Sequence, residues 1–405
     1  MRKILKGARI IDCVSSKPLE GYKIVIKEDR ILSVDKENEP ELPDDEVINL
    51  SGKTILPGLI NMHVHLTAND KEDLMHDMIL KSDEQLLLQG VKASCLTLKS
   101  GVTTVRDCGS RNNLTHLLRD EIIKGKLIGP RIISSGMPIT KIGGHCFYLG
   151  GEVDGVVEIR KAVRSLIKDG ADFIKVMVTG GGSTPYTDKK ATSFTNPELY
   201  TLVKEAHFNG KKVAAHVHGT RGIIQAIEAG VDTIEHCSFL TNNGMKAEDD
   251  ILKLIKDRQI IIIPTVSTGI RSVYGGSFTL NSYDKFAQGP LVDCFRERFC
   301  LFKDLCKNEL NILGGNDAGV TGTPHDDFVI ELEVMADLGM DIIEVIETVT
   351  RKAAYALGLE SEIGTIEAGK KADLLVIKGD PLRDIRILRN PYSVMVAGKQ
   401  VVCSD

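Results

Sequence analysis

The chain has 405 residues, 42% of them hydrophobic, with no tryptophan and only 5% aromatics, which suits one large or two modest globular domains and excludes disorder and coiled coil. Lys and Arg number 51 against 56 Asp and Glu, a net charge of −5, so the basic field of a nucleic-acid binder is missing. No apolar run approaches the ~18 residues of a membrane helix and the opening MRKILKGARIIDC has no signal-peptide core, so we expect a cytoplasmic protein with no membrane partner.

Residues 3–49 alternate short β-branched runs (ARIIDC, YKIVIK, RILSVD) with turns, and residues 363–402 do the same (ADLLVIKG, SVMVAGKQVV). Two β-rich ends around a different middle predict a composite β module, sandwich-like, from residues 1–57 and 359–405. Between them, over residues 58–358, apolar strand-like runs alternate with amphipathic stretches, the signature of a parallel α/β sheet. One helix is legible at residues 156–169, where Ile159, Val163, Leu166 and Ile167 share a face and Gly170 follows as a stop. A helix-ending glycine before a strand recurs in KSGVTTV, KDGADFI and EAGVDTI. Eight strand candidates follow in order: LINMHVHL, TTVRDC, PRIISSG, FIKVMVTG, VAAHVHG, TIEHCSF, IIIIPT and NILGGNDAG. That count predicts a (β/α)8 TIM barrel, and no GxGxxG supports the doubly wound alternative. An insertion at residues 268–288, after the seventh strand, is expected as a lid.

Nine cysteines without a CxxC pair fit reduced thiols, so any metal must be held mainly by His and carboxylate. His63 and His65 sit at i and i+2 of the first strand, so both rings leave one face, roughly 6.6 Å apart. Lys175 interrupts an apolar fourth strand. Either its stem carries the ammonium to the barrel mouth, or burial favours the neutral amine, which can capture carbon dioxide as a carbamate and so supply a bridging carboxylate. His216 in the fifth strand, His236 in the sixth and Asp317 in the eighth all lie near strand C-termini, where barrels keep their active sites. Each alone reads as a core or loop residue; together they suggest a metal centre. His218 faces the same way, for an orienting or substrate role or for direct ligation, and His145 in GGHC is a candidate substrate contact. His76, His116 and His207 read as surface positions on helices, and His325 is assigned no role.

These motifs together resemble the amidohydrolase superfamily, in its binuclear form with a carbamylated lysine. PGLINMHVH from Pro57, NDAG from Asn316 and GTIEAGKKADLLV from Gly364 are similar to that family's marker segments. The resemblance implies two divalent ions, expected to be zinc: one on His63, His65 and Asp317, the other on His216 and His236, with carbamylated Lys175 between them and carbon dioxide as the second cofactor. Asp317 and His236 would be catalytic. Asn61 and Asn316 depart from the usual Asp and Thr, which bears on the orientation of ligands rather than on the ligands themselves. Mononuclear deaminases are disfavoured, since they lack the strand-four lysine and carry a Glu where this chain has Gly219.

KVMVTGGG and AAHVHGTRG resemble zinc-dependent arginine carboxypeptidases and Xaa-Pro dipeptidases. The expected activity is hydrolysis of the peptide bond before a C-terminal Arg or Lys in small peptides, by a protein expected to be a homo-oligomer. The alternatives are a Xaa-Pro dipeptidase, a cyclic amide or lactone hydrolase, and a silent scaffold. Arg221 is read as a carboxylate clamp or as a surface arginine capping the next helix. Glu152, Asp154, Asp188, Asp326 and Asp327 are candidates to read a basic side chain, and Phe147, Tyr148 and Tyr186 to wall a proline pocket.

Overall fold

Four strands of the amino-terminal segment form one sheet in the order Arg30–Lys36, Tyr22–Lys27, Arg2–Lys6 and Glu46–Asn49. A second sheet joins both ends of the chain, running Lys399–Cys403, Pro391–Val396, Leu374–Lys378, Lys53–Pro57 and Arg9–Ile10. Alternate residues of the two sheets (Leu5, Ile24, Ile26, Ile55, Leu374 and Val376 among them) bury one shared core, as their β-branched patterning requires. This computed structural model describes residues 2–71, 73–274 and 290–403.

Lys53–Pro57 passes directly into the first barrel strand through Gly58, where a Cβ would sit 2.1 Å from Thr103 Oγ1; only glycine allows the chain to turn so close. The barrel strands are Leu59–Val64, Val102–Asp107, Arg131–Ser134, Ile174–Met177, Val213–Gly219, Thr233–Thr241 and Ile261–Ile263. The first three pair in parallel, and so do the last four. Ile139 joins the two groups, its N–H donating to Lys175 O at 2.8 Å while its carbonyl accepts from Met177 N at 2.9 Å.

The eighth strand closes the barrel without being a regular strand. It bridges Ile262 at Ile312 and Val64 at Ala318, and Asp317 N donates to His63 O at 2.9 Å. Asp317 has φ +63°, and of the two glycines before it Gly315 lies against Ile263 and His63 of the neighbouring strands while Gly314 lies against Val349 of the outer layer. A Cβ on Gly315 would stand 2.9 Å from His63 N, so this glycine lets the last strand press against the first metal-ligand candidate.

Helices cover the outside, and the packing follows the sequence periodicity. Gly155–Lys168 buries Ile159, Val163 and Leu166, and Gly170 follows at φ +97°. Asn196–Phe208 starts with a Thr195–Glu198 capping box. The architecture is therefore the (β/α)8 barrel that the strand count predicts. The lid expected at residues 268–288 begins in the short helix Ile270–Tyr274, and residues 275–289 lie outside the described residues. None of the described helices is long and apolar enough to cross a membrane.

Candidate metal centre

His63, His65, Lys175, His216, His236 and Asp317 line one cavity of about 180 Å³ at the C-terminal ends of the barrel strands. The parallel register explains the convergence: Met177 stands opposite His216, and Val217 opposite His236, so residues from distant segments reach one level. His63 Nε2 lies 3.3 Å and His65 Nε2 3.4 Å from Asp317 Oδ1. The His216 and His236 ring centres are 4.6 Å apart, and those of His63 and His236 5.2 Å. Two triads have donor atoms within 4.8 Å of one another: His63, His236 and Asp317 in one, His216, His218 and His236 in the other. His236 and Asp317 adopt positive φ of +67° and +63°, an uncommon backbone for non-glycine residues and one that concentrates strain at this site.

Each imidazole is held by one nitrogen and leaves the other for the cavity. His63 Nδ1 bonds Glu235 Oε2 at 2.7 Å, His65 Nδ1 the Gly109 carbonyl at 3.1 Å, and His236 Nδ1 the Thr265 hydroxyl at 2.8 Å. His216 uses Nε2, which bonds the Gly180 carbonyl at 3.2 Å, and so presents Nδ1. Donation of the outer N–H fixes the tautomer in which the inner nitrogen carries a lone pair, the form a metal needs. Burial and neighbouring positive charge push His63 down to about 4, and hold His216 and His236 well below the ordinary histidine range. These rings are neutral donors at physiological pH. Burial opposes the ionisation of Asp317, but His63, His65 and Lys175 overcome it and keep the carboxyl below its usual range.

Lys175 is 1% exposed, and its Nζ has no hydrogen-bond partner. A buried primary amine with nothing to bond is costly unless the position serves something else. Beside four imidazoles and a carboxylate, the amine fits attachment of carbon dioxide, which would convert an orphan donor into an acidic bridge. The donor set of nitrogens and carboxylate oxygens suits zinc or a similar divalent ion. The third cluster, His63 with Cys108 and Glu235, is a poor metal site, because burial pushes the Cys108 thiol up to about 12 and Arg106 already occupies Glu235.

The Amidohydrolase family profile matches residues 54–401. The chain belongs to that family. This amidohydrolase is 27% identical over 420 aligned residues to the ochratoxinase of Aspergillus niger, with 93% of this chain and 82% of that protein covered. It is similar to a crystal structure of a Xaa-Pro dipeptidase with methionine bound in the active site, at 30% identity and TM-score 0.87 over 99% of each chain. A prolidase complexed with N-methylphosphonate-L-proline superposes at TM-score 0.86, with 26% identity over the whole of both chains.

The structure places the remaining candidates in this amidohydrolase unevenly. His145 and His218 line the cavity, His145 bonding Thr184 Oγ1 at 3.0 Å and His218 bonding Ser238 Oγ at 2.8 Å. Gly181 leaves room for the His145 ring, since a Cβ there would overlap it at 2.2 Å. Arg221 is not brought to the cavity: Gly219 ends the strand, Thr220–Ala229 turns away, and the side chain faces solvent on that helix. It is a surface residue, and the first turn of that helix has no side-chain cap. Glu152, Asp154, Asp188, Asp326 and Asp327 also lie off the cavity wall, as do Phe147, Tyr148 and Tyr186. Asp327 is taken by Arg271 and Arg389. His76 and His207 are exposed as expected, but His116 is buried at 6% exposure with neither ring nitrogen bonded. The reason is that its helix turns that face inward against the Gly136 turn, where a Cβ would lie 2.9 Å from the ring. His325 is buried and bonds the His65 carbonyl at 3.2 Å.

Asn61 and Asn316, the two departures from the family pattern, meet each other. Asn61 Nδ2 donates to Asn316 Oδ1 at 2.8 Å while Asn61 Oδ1 accepts from His63 N at 3.2 Å, so a neutral amide pair ties the first and last strands. Sequence reasoning missed Glu235 and Arg106. Glu235 is fully buried, bonded to Arg106 Nη2 at 2.6 Å and to the Thr233 hydroxyl at 2.6 Å. The available signal was a pair of opposite charges inside two buried barrel strands, which burial tolerates only if they meet. Lys189 and Arg298 also line the cavity, and both come from segments that carry no motif.

Proposed function

We propose that this amidohydrolase is a metal-dependent peptidase that cleaves the bond before the C-terminal residue of dipeptides or similarly small amides. The observation that carries this reading is the orphaned, buried Lys175 Nζ within a cluster of four imidazoles and Asp317. His63, His65 and Asp317 would hold one divalent ion, His216 and His236 a second, and a carbamate on Lys175 would serve both. When bound, two such ions polarise a carbonyl and make water available as hydroxide near neutral pH. Asp317 is kept ionised by its histidine neighbours and is placed to accept a proton and return it to the departing amine, without which an amide nitrogen leaves poorly. His218, neutral and fixed at Nδ1 by Ser238, presents its second ring nitrogen to the substrate space, while His145, also neutral, is held by Thr184 at Nδ1 and by Cys146 Sγ at Nε2 and lines that space with its ring.

The cavity wall favours an apolar C-terminal residue over Arg or Lys. Among the described residues Asp317 is its sole carboxylate, and Leu74, Met177, Pro264 and Val320 supply apolar surface. A basic side chain would meet no free counter-charge there, and Lys189 and Arg298 would repel it. Proline or methionine at the C-terminus fits this lining, and the small volume favours dipeptides.

A dipeptide library with C-terminal Pro, Met, Phe, Arg and Lys, assayed with metal counted per chain, tests the proposal. The expected result is about two ions per chain and highest kcat/KM for Pro or Met. Bound metal with turnover confined to lactones or cyclic amides would replace the peptidase reading with ring opening. A preference for Arg or Lys would return the basic specificity.

A further inference from the structure

We infer that Arg298 binds the C-terminal carboxylate of the substrate, a role that rests on the peptidase reading above. Arg298 lies on the helix Pro290–Lys307 and lines the same cavity as Asp317, His218 and Thr268. Its Nη1 donates to the Thr268 carbonyl at 2.9 Å and to the Val266 carbonyl at 3.4 Å, and its guanidinium carbon stands 4.9 Å from the Phe295 ring centre. One nitrogen and one face are thus fixed, so the group is held in place before any ligand arrives.

Among the described residues the other donors have no partner. A guanidinium carries five N–H donors, and the Arg298 bonds among the described residues go to backbone carbonyls rather than to a carboxylate. Glu331 is close enough to feel its charge, but both Glu331 oxygens accept backbone N–H bonds, from Val266 at 2.9 Å and Ser267 at 2.8 Å. A planar cation with those donors, lining the cavity beside His218 and Asp317, matches a carboxylate in bidentate geometry. Lys189 also lines the cavity, but it is exposed and its flexible stem leaves the ammonium unfixed. Arg221 is on the outer surface of another helix.

The test compares each free-acid ligand with its C-terminal amide, because damage to the fold lowers both while loss of a carboxylate contact lowers only the first. With the metal-loaded enzyme, Arg298→Met should reduce kcat/KM for dipeptides roughly 10- to 100-fold, mostly through KM, and leave the dipeptide amides nearly unchanged. Arg298→Lys should recover part of the difference. Arg221→Ala should change neither. In a second arm, calorimetry with L-proline and L-methionine against prolinamide and methioninamide needs no turnover. The wild type should prefer the acids and Arg298→Met should lose that preference. An acid-to-amide ratio that Arg298→Met leaves intact, or one that Lys189→Ala removes instead, overturns the assignment. So does a wild type that binds neither amino acid. Acid-selective binding through Arg298 in a wild type that cleaves no dipeptide would support the clamp and sink the peptidase reading.

Discussion

Lys175 gives the sharpest separation between a residue kept for function and one kept for the fold. Replacing it with Met retains the length of the stem in a site that is 1% exposed and removes an Nζ that bonds nothing. Leaving a buried donor unsatisfied costs about 1–3 kcal/mol. The lysine charge also attracts Asp317 and Glu235 and repels His63, and the two attractions cancel part of that gain. The metal-free Lys175→Met variant should therefore be more stable than the metal-free wild type by about 1 kcal/mol, at the low end of that range. Urea unfolding of chelator-treated protein, followed by far-ultraviolet circular dichroism, measures this. The same variant should bind little metal and lack activity. Lys175→Ala, which leaves a void, should regain some turnover with added acetate or propionate, whose carboxylate would stand in for the carbamate. A metal-free Lys175→Met variant less stable than wild type by 1 kcal/mol or more, with metal content unchanged, would refute the reasoning and make Lys175 an ordinary core residue.

Other perturbations have defined outcomes. Glu235→Gln removes the counter-charge of buried Arg106 and leaves one acceptor oxygen where Arg106 and His63 each use one, so stability should fall by about 3–5 kcal/mol and metal affinity 10- to 100-fold. Adding Arg106→Met should restore much of the stability but not the affinity; unchanged metal occupancy in a competition with a chelator would count against this role for Glu235. Dialysis against a chelator should abolish turnover, and titration with Zn²⁺ should restore it at about two ions per chain by elemental analysis. Metal-free protein should lose stability as pH falls below about 6.5. His63 and His145 are lowered to about 4 and about 3, and His216, His218 and His236 lie well below the ordinary value, so unfolding takes up protons in this window and stability rises with pH. Asp107 and Glu331, which burial raises to about 6 and about 7, work the opposite way and offset about two of those rings. The remainder is on the order of 4 kcal/mol per pH unit near pH 5. A urea midpoint that stays flat from pH 7 to pH 5 would contradict it.

The sequence alone was enough for the barrel, since βα alternation and the strand count follow from burial on both faces of a parallel sheet. It also marked the donor residues, because His63, His65, His216, His236, Asp317 and Lys175 are polar side chains at strand ends where an apolar residue would otherwise be expected. The tertiary structure decided what lies beyond a single segment. Arg221 follows a motif yet faces solvent, whereas Arg298, in a helix with no motif, lines the cavity. The meeting of Glu235 with Arg106, and of Asn61 with Asn316, depends on which strands the closed barrel sets side by side. Periodicity reports which face of a segment is buried, but a partner from another segment is fixed only by closure and register. The candidate ligands could be read from the chain for the first reason, and the groups bonded to them could not for the second.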